Sequence, residues 1–309
     1  MPEIGDGEVL VRVRATAINA ADYRIMRADP FLVRLSKGLR RPRQQILGMD
    51  VAGIVEDIGG DVTRFQVGDE VFGDVLDDGM GGFAEYVAAS ERSLAAKPDG
   101  VSFDQAAAVP LAGITALQAI RDKGAVAPGT TVLVQGAGGG VGTFVVQIAK
   151  AMGATVTAVC GPKNTELMAS FGADDVIDYT TTDFTTDFVA QGRRYDVIIG
   201  VNGHHPLGDY KRCLNPGGRY VMVGGTTAQL FAALLAAPVR FMIGDKTAGA
   251  LTIDDARREG DLAELRDWVS SGRLTPVIDR VFDLRDAADA MRYVENGHVR
   301  GKVVLRVCT

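Results

Sequence analysis

The sequence predicts an α/β protein in which a doubly wound parallel-sheet domain is inserted into a β-rich domain. The apolar run Val132-Leu133-Val134-Gln135 ends abruptly in Gly136-Ala137-Gly138-Gly139-Gly140-Val141-Gly142, and an apolar helical pattern follows from Thr143 to Met152. From Thr131 onward, β-branched runs alternate with helical patterns, the rhythm of a parallel sheet covered on both faces. Residues 1–105 read instead as strands separated by glycine turns, and the tail after residue 271 returns to mixed structure. The expected division is therefore 1–105 with 272–309 as one domain and 106–271 as the insert.

The elements follow in order. Glu8 to Ile18 alternates apolar Val9, Val11, Val13 and Ala15 with Arg and Thr, the period of a half-buried strand. Val51 to Ile58 is a second strand, closed by Gly59-Gly60, and Val71-Phe72 and Phe83 to Ala88 read as short strands after glycine turns. Ser102-x-x-Gln105 has the form of a capping box, and Leu111 to Lys123 reads as a longer helix stopped by Gly124. In the insert, strands are expected at 131–135, 155–159, 175–178, 195–200 and 217–223, with helices near 140–152, 163–171, 183–190 and 206–213. In the tail, Asp261 to Ser271 and Asp286 to Glu295 read as helices, and Val277 to Phe282 and Lys302 to Val307 as strands.

Composition narrows the function classes. With 309 residues, 47% hydrophobic and 23% charged, the chain is an ordinary globular protein of about two domains. A net charge of −6 argues against a nucleic-acid surface or a basic membrane patch. Cys160, Cys213 and Cys308 are scattered without a CxxC, so neither a disulfide framework nor a multi-cysteine zinc site is expected, and a reducing, cytoplasmic setting fits. The acidic start Met1-Pro2-Glu3-Ile4-Gly5-Asp6 has no apolar core of a signal peptide. The most apolar stretch, Leu230 to Ile243, is broken by Pro238 and Arg240 and is too short for a membrane span. It is expected to wall a substrate cleft, to form an oligomer contact, or to be a buried helix.

Strand, glycine turn and helix in that order form a site for a dinucleotide pyrophosphate. Glycines let backbone N–H groups approach the phosphates, and the helix N-terminus presents partial positive charge. The register is Gly136-x-x-Gly139-x-x-Gly142 rather than a strict GxGxxG, but its context is that of a Rossmann domain. Gly136, Gly138, Gly139, Gly140 and Val141 are the expected phosphate-binding backbone. An NAD site places a carboxylate at the end of the second strand to bind the ribose hydroxyls. Here that strand runs into Cys160-Gly161-Pro162-Lys163-Asn164. No acid is present, and Lys163 offers charge for a 2′-phosphate, so NADP(H) is the expected cofactor. Gly161, Asn202 and Gly224 complete the expected sheet-edge contacts. His204-His205 also fall at that edge, but adjacent loop histidines are expected to face opposite ways in solvent. Cys160 reads as a small packing residue.

The run Gly48-Met49-Asp50-x-x-Gly53-x-Val55-x-x-x-Gly59, continuing to Gly68-Asp69-x-Val71, resembles the medium-chain dehydrogenase/reductase superfamily. Zinc alcohol dehydrogenases of that superfamily carry His-Glu where this chain has Met49-Asp50, and a zinc-ligand cysteine in the segment that here reads Asn19-Ala20-Ala21-Asp22-Tyr23. A thioether is a poor zinc ligand, no cysteine is near, and the four-cysteine structural zinc lobe is missing. The resemblance therefore points to the zinc-free, quinone oxidoreductase-like (zeta-crystallin-like) branch, whose β-rich domain is GroES-like. Asn19-x-x-Asp22, Pro110-x-x-Gly113-x-Thr115-Ala116, Gly172-Ala173-Asp174 to Tyr179, and Gly301-Lys302-Val303-Val304 are similar to segments of that branch. Family members carry a further stretch before the segment matching Gly7-Glu8-Val9-Leu10, which supplies the first strands of their catalytic domain.

The resemblance implies an NADPH-dependent, metal-independent reductase of a small molecule, a quinone or the C=C bond of an α,β-unsaturated carbonyl, working as a homodimer. Such an enone is already electrophilic at its β-carbon, so hydride adds without a Lewis acid and donors need only stabilise the enolate oxygen. It further implies that Asn19 positions the nicotinamide and that Tyr179 and Lys302 approach the cofactor. Thr115 is a candidate hydrogen-bond partner of the cofactor, Tyr23 a candidate enolate donor or proton source, and Asp22 a candidate to fix Asn19 or Tyr23. Bland readings stand beside these: a turn asparagine, a half-buried aromatic, a helix-cap aspartate and a helix-interior threonine. The rival functions are an NADPH-binding structural or regulatory protein without turnover, and a tailoring reductase dedicated to one elaborate substrate.

Overall fold

The computed structural model describes residues 1–29, 44–225, 241 and 244–307. Its elements run β1 (Glu8–Ile18), α1 (Ala20–Arg27), β2 (Asp50–Ile58), β3 (Glu70–Asp74), β4 (Tyr86–Ser90), β5 (Leu94–Ala96), α2 (Phe103–Ala107) and α3 (Pro110–Gln118). They continue with β6 (Thr131–Gln135), α4 (Gly140–Ala151), β7 (Thr155–Cys160), α5 (Thr165–Ser170), β8 (Asp175–Asp178), α6 (Asp187–Ala190), β9 (Tyr195–Gly200) and α7 (Leu207–Cys213). The last are β10 (Leu214–Met222), β11 (Thr247–Ala250), α8 (Arg258–Ser270), β12 (Ile278–Asp283), α9 (Ala287–Glu295) and β13 (Lys302–Arg306).

The chain divides into a unit of residues 1–114 and 255–309 and a unit of residues 115–254. The expected edges, 105/106 and 271/272, differ because α3 begins, and α8 lies wholly, in the first unit. Gly113 packs so closely on α8 that a Cβ there would sit 2.9 Å from Leu265 Cδ1. Side-chain packing of this kind is invisible to a composition boundary.

The first unit is built on β1. Its alternation leaves Val9, Val11 and Val13 fully buried, and β1 pairs antiparallel with β2, β4 and β13. The sheet order is β12-β13-β1-β2-β3-β5, with β4 against β1. The capping box expected at the start of α2 is present: Gln105 N donates to Ser102 Oγ at 3.2 Å and Ser102 N to Gln105 Oε1 at 3.0 Å. The expected strand at 83–88 is displaced; residues 83–85 bend and the strand covers Tyr86–Ser90, where it meets Glu8 to Arg12 of β1. The helix α1 and the three-residue β5 had no periodic signal long enough to find.

The second unit is a six-stranded sheet, order β11-β10-β9-β6-β7-β8, parallel at each pairing. From β6 the chain lays β7 and β8 to one side, then returns to lay β9, β10 and β11 to the other. The β6/β9 boundary is thus a topological switch point, where a crevice opens outside the carboxyl ends of the strands. Val132, Leu133, Val134, Ile198 and Ile199 are fully buried, as strands covered on both faces require. The helix expected at 183–190 forms only over Asp187–Ala190, because the Asp183 carboxylate captures Thr185 N and Oγ1 in a turn instead. The edge strand β11 has no alternation to announce it. Apart from Phe241, which joins the core of this unit, the apolar stretch 230–243 lies outside the described residues, as does Cys308. No helix of the described residues is long and apolar enough to cross a membrane.

The return into the first unit is pinned by charge. Arg258, at the start of α8, bonds the fully buried Asp74 at the end of β3 and also reaches Asp255 at 2.6 Å and Asp77 at 3.1 Å. Replacing Arg258 with Ala leaves the Asp74 charge buried and uncompensated, and is expected to cost about 3–5 kcal/mol of unfolding free energy. Urea denaturation measures this; a loss below 1 kcal/mol, the ceiling for a surface pair, would show the pair to be solvated.

Candidate functional site

The switch point of the second unit is built by glycines. Gly136 follows β6 with φ 77°, a left-handed conformation natural only to glycine, and a Cβ there would sit 2.0 Å from Val201 O beyond β9. Gly142, in the first turn of α4, lies so close to the turn that its Cβ would be 2.2 Å from Gly136 O. Gly138 is covered by the Asn164 amide, 2.3 Å from a built Cβ. These approaches lock strand, turn and helix together. Gly139 is different: a Cβ there would meet only Gly136 O, at 3.6 Å, so its side is open. Gly139 caps α4 without a side chain, and the first intrahelical bond runs from Thr143 N to Gly139 O at 3.0 Å. The amides of Gly140, Val141 and Gly142 are therefore the first-turn donors without a helical acceptor, at the positive end of a 12-residue helix.

The end of β7 gathers other expected residues. Cys160 is buried, and burial, with the neighbouring Asp178 charge, pushes its thiol up to about 11, which makes it a packing group. Gly161 follows; a Cβ there would lie 3.1 Å from Tyr179 Oη, so the Tyr179 hydroxyl lies close against the glycine. Lys163 is exposed on the short turn Pro162–Asn164. No carboxylate ends β7. Asp178, its partner across the β7–β8 pairing, turns Oδ1 toward Thr180, accepting from N at 2.9 Å and Oγ1 at 2.7 Å. Asn164 Oδ1 is buried with no partner among the described residues, an acceptor set beside the glycine turn. Sequence reasoning missed it; an asparagine four residues past the strand gives no sign that its amide folds back.

At the end of β9, Asn202 adopts a left-handed φ of 59°, and a Cβ on Gly224 would approach Asn202 N to 3.8 Å. Gly203 N donates to Gly224 O at 3.3 Å, which closes the β9 and β10 edges on each other. Between the ends of β6, β7 and β9 lies a cavity of about 480 Å³, lined by Gln135, Gly136, Val159, Tyr179, Asn202 and His204 among others. The two histidines do not face opposite ways. Their rings lie 4.3 Å apart at 33°, and both line this cavity. His205 is set edge-on to Phe184 at 5.1 Å and to Tyr210 at 5.9 Å, which holds it inward. Burial, then the neighbouring His204, lowers the His205 pKa. The buried Tyr210 hydroxyl donates to Gln135 Oε1 at 2.6 Å, and Gln135 Nε2 lies 3.1 Å from His204 Nδ1.

The remaining expected residues belong to the first unit or to α3. Asn19 caps α1: Asn19 N donates to Asp22 Oδ2 at 2.8 Å, and Gly48 N donates to Asp22 Oδ1 at 3.1 Å. The Asn19 side chain donates to Asp50 Oδ2 at 2.9 Å and accepts from Lys302 Nζ at 2.5 Å, while Lys302 Nζ also reaches Asp50 Oδ2 at 3.0 Å. Asp50 Oδ1 takes Leu111 N at 2.7 Å. The structure thus brings Asn19, Asp22 and Lys302 together with Asp50, a residue not singled out beforehand. The reason is solvation: Lys302 is 4% and Asp50 0% exposed, so ammonium, carboxylate and amide satisfy one another. Tyr23 packs against a cluster that includes Ile18, Met291 and Val303. Thr115 is buried inside α3. Met49 is fully buried beside Asp50, and no group of three or more His, Cys, Asp or Glu among the described residues is placed to hold a metal ion.

Burial is the largest influence on Asp22 and raises it to about 7; the Asn19 amide opposes this, while the Asp50 charge adds to it. Asp22 therefore keeps its proton to higher pH in the folded than in the unfolded chain. Its contribution favours folding below about pH 4 and is lost as pH rises toward 7. Asp22→Asn is expected to remove a downward slope in unfolding free energy between about pH 4 and 7; unchanged slopes in denaturant titrations of the two proteins would show that Asp22 ionises normally.

Comparison with known proteins agrees with this architecture. Residues 5–99 match the family model for the alcohol dehydrogenase GroES-like domain, and residues 171–305 match that for zinc-binding dehydrogenase. The chain is 33% identical to the chloroplastic quinone-oxidoreductase QR1 of Triphysaria versicolor over 99% of this chain and 91% of that protein. It is 32% identical to the 2-methylene-furan-3-one reductase of Solanum lycopersicum, over 99% of this chain and 73% of that protein. The solved quinone oxidoreductase from Coxiella burnetii superposes with a TM-score of 0.84 at 32% identity, covering 99% and 92% of the two chains. With this coverage of both units, the chain belongs to the medium-chain dehydrogenase/reductase superfamily, in its zinc-free quinone oxidoreductase branch.

Proposed function

We propose that the protein is an NADPH-dependent, metal-independent reductase of quinones or of the C=C bond of α,β-unsaturated carbonyls. The observation that carries this is the cradle at the switch point. An uncapped helix N-terminus and an open Gly139 adjoin the β7 end, which is followed by Lys163 rather than an acid and is approached by Tyr179 from the end of β8. The bound cofactor supplies hydride. The chain supplies the rest: Gly140, Val141 and Gly142 amides hold the pyrophosphate, and Asn164 Oδ1 accepts from a ribose hydroxyl. Lys163 and the Tyr179 hydroxyl hold the 2′-phosphate, which a carboxylate at this position would repel. The relatives named for quinones and for a furanone with an exocyclic C=C support the acceptor class. Such acceptors need donors on a developing oxygen rather than a strong Lewis acid.

Lys163→Ala is expected to weaken NADPH binding about tenfold, the worth of one charge-assisted bond, and to leave NADH unchanged. Equal losses for both coenzymes in calorimetry would reject Lys163 as the 2′-phosphate ligand. Steady-state NADPH oxidation with a panel of quinones and enones tests the activity itself. Turnover of at least one acceptor is expected; coenzyme binding with no oxidation by any of them would favour a regulatory protein instead.

A further inference from the structure

The corner after β9, from Val201 to His205, bounds the cavity at the switch point. Asn202 stands there in the left-handed region with φ 59°, a conformation that a residue with a side chain keeps only where its surroundings impose it. Alternate amides of the corner are anchored. Val201 N donates to Gln135 O at 3.0 Å, Gly203 N to Gly224 O at 3.3 Å, and His205 N to Tyr210 Oη at 3.3 Å. The first two acceptors are backbone carbonyls. The third is a side chain that arrives from α7, and nothing in the dinucleotide reading calls for it.

Tyr210 supplies a fixed point. It is fully buried, and its ring stacks on that of Tyr220 with centroids 4.1 Å apart and planes 14° from parallel. A ring held so in a packed core has no room to swing. From that place its hydroxyl accepts from His205 N and donates to Gln135 Oε1 at 2.6 Å. Gln135, 3% exposed at the end of β6, also brings Nε2 within 3.1 Å of His204 Nδ1. Tyr210 and Gln135, joined to each other, therefore grip the corner at Val201, His204 and His205. The core itself does not require this bond. Tyr195 lies in the same apolar cluster, and its buried hydroxyl has no hydrogen-bond partner among the described residues.

We propose that Tyr210 is a positioning residue of the coenzyme site, its hydroxyl acting with Gln135 to hold the Val201–His205 corner in the shape that a dinucleotide meets. The assignment rests on the dinucleotide reading and adds to it the side chain that presets this wall of the crevice. Tyr210 acts through the His205 backbone and the Gln135 amide. Without the hydroxyl, His205 N loses this acceptor and Gln135 Oε1 its donor, and the corner samples other shapes. Coenzyme then binds only the fraction of molecules whose corner is in place, which lowers apparent affinity by that fraction and is overcome at saturation.

Tyr210→Phe keeps the ring and its stack and removes only the hydroxyl. Tyr195→Phe, which removes the unbonded hydroxyl from the same core, is the control. Calorimetry is expected to show NADPH binding weakened about tenfold in Tyr210→Phe and unchanged in Tyr195→Phe. With an acceptor that the wild type turns over, KM for NADPH is expected to rise by the same factor while kcat holds. Amide hydrogen exchange at His205 is expected to quicken about tenfold in Tyr210→Phe and to slow again when NADPH saturates the protein. Should Tyr210→Phe not fold, Gln135→Met removes the other half of the grip and carries the same expectations. Unchanged affinity, an equal loss in Tyr195→Phe, or a fall in kcat with KM unmoved would each overturn the positioning role and leave the dinucleotide site standing. No heat from NADPH in the wild type would overturn both.

Discussion

The second unit depends on a backbone approach that only a hydrogen side chain permits. At the switch point, Gly136 lies against the carbonyl of Val201 and Gly142 lies against the carbonyl of Gly136. The first approach lets β6 and β9 end side by side although the chain visits β7 and β8 between them. The second draws the start of α4 onto the strand that precedes it. A methyl group at either place would push strand and helix apart and carry the first-turn amides away from the crevice. Crevice, helix terminus and cavity are thus consequences of one packing constraint, and Gly139 is the glycine of the turn with open space beside it.

The first unit solves a different problem. It brings segments from both ends of the chain into one sheet, and two buried ion pairs sit at the joins: Lys302 with Asp50, and Arg258 with Asp74. Burying such charges is costly, and their net contribution to stability is small. Removing one partner is another matter, because the other is left charged away from water. The pairs therefore penalise any arrangement in which the C-terminal segments dock elsewhere. Asn19 shares the first of these networks, so its side chain joins β2 and β13 at the end of β1. Asp22, with both oxygens taken by backbone amides, belongs to the same scaffold.

Legibility followed signal length. Glu8–Ile18, Thr131–Gln135, Asp175–Asp178 and Tyr195–Gly200 were read to the residue because alternation or an unbroken apolar run declares a strand. The capping box at Ser102 was legible because its chemistry is local. What escaped was short or set from a distance: α1, β5 and β11 have too few residues for a period to register. The 183–190 helix lost its first turn to a side-chain bond from Asp183 that the helical pattern does not reveal. The glycine turn and Lys163 were placed at strand ends from sequence because order along the chain fixes them there, whereas Tyr179 was singled out by the family resemblance. His204 is exposed as expected, but the two rings do not diverge: Phe184 and Tyr210 hold His205 edge-on, and the His204 ring lies 4.3 Å from it, a placement that alternation of loop neighbours cannot reveal.

The sequence by itself determined that a parallel sheet would be wound around a glycine turn, that the segment after β7 would carry a lysine and no acid, and that Met49 would stand where a metal ligand would be needed. These are properties of residues close together in the chain. Only the tertiary structure decided which charges neutralise one another and which polar atoms remain for a ligand. Lys302 bonds Asn19 and Asp50, whereas Asn164 Oδ1 has no partner among the described residues. The physical reason is that a hydrogen bond is a matter of direction at about 3 Å, and residues far apart in sequence acquire a direction toward each other only once the sheet order is set.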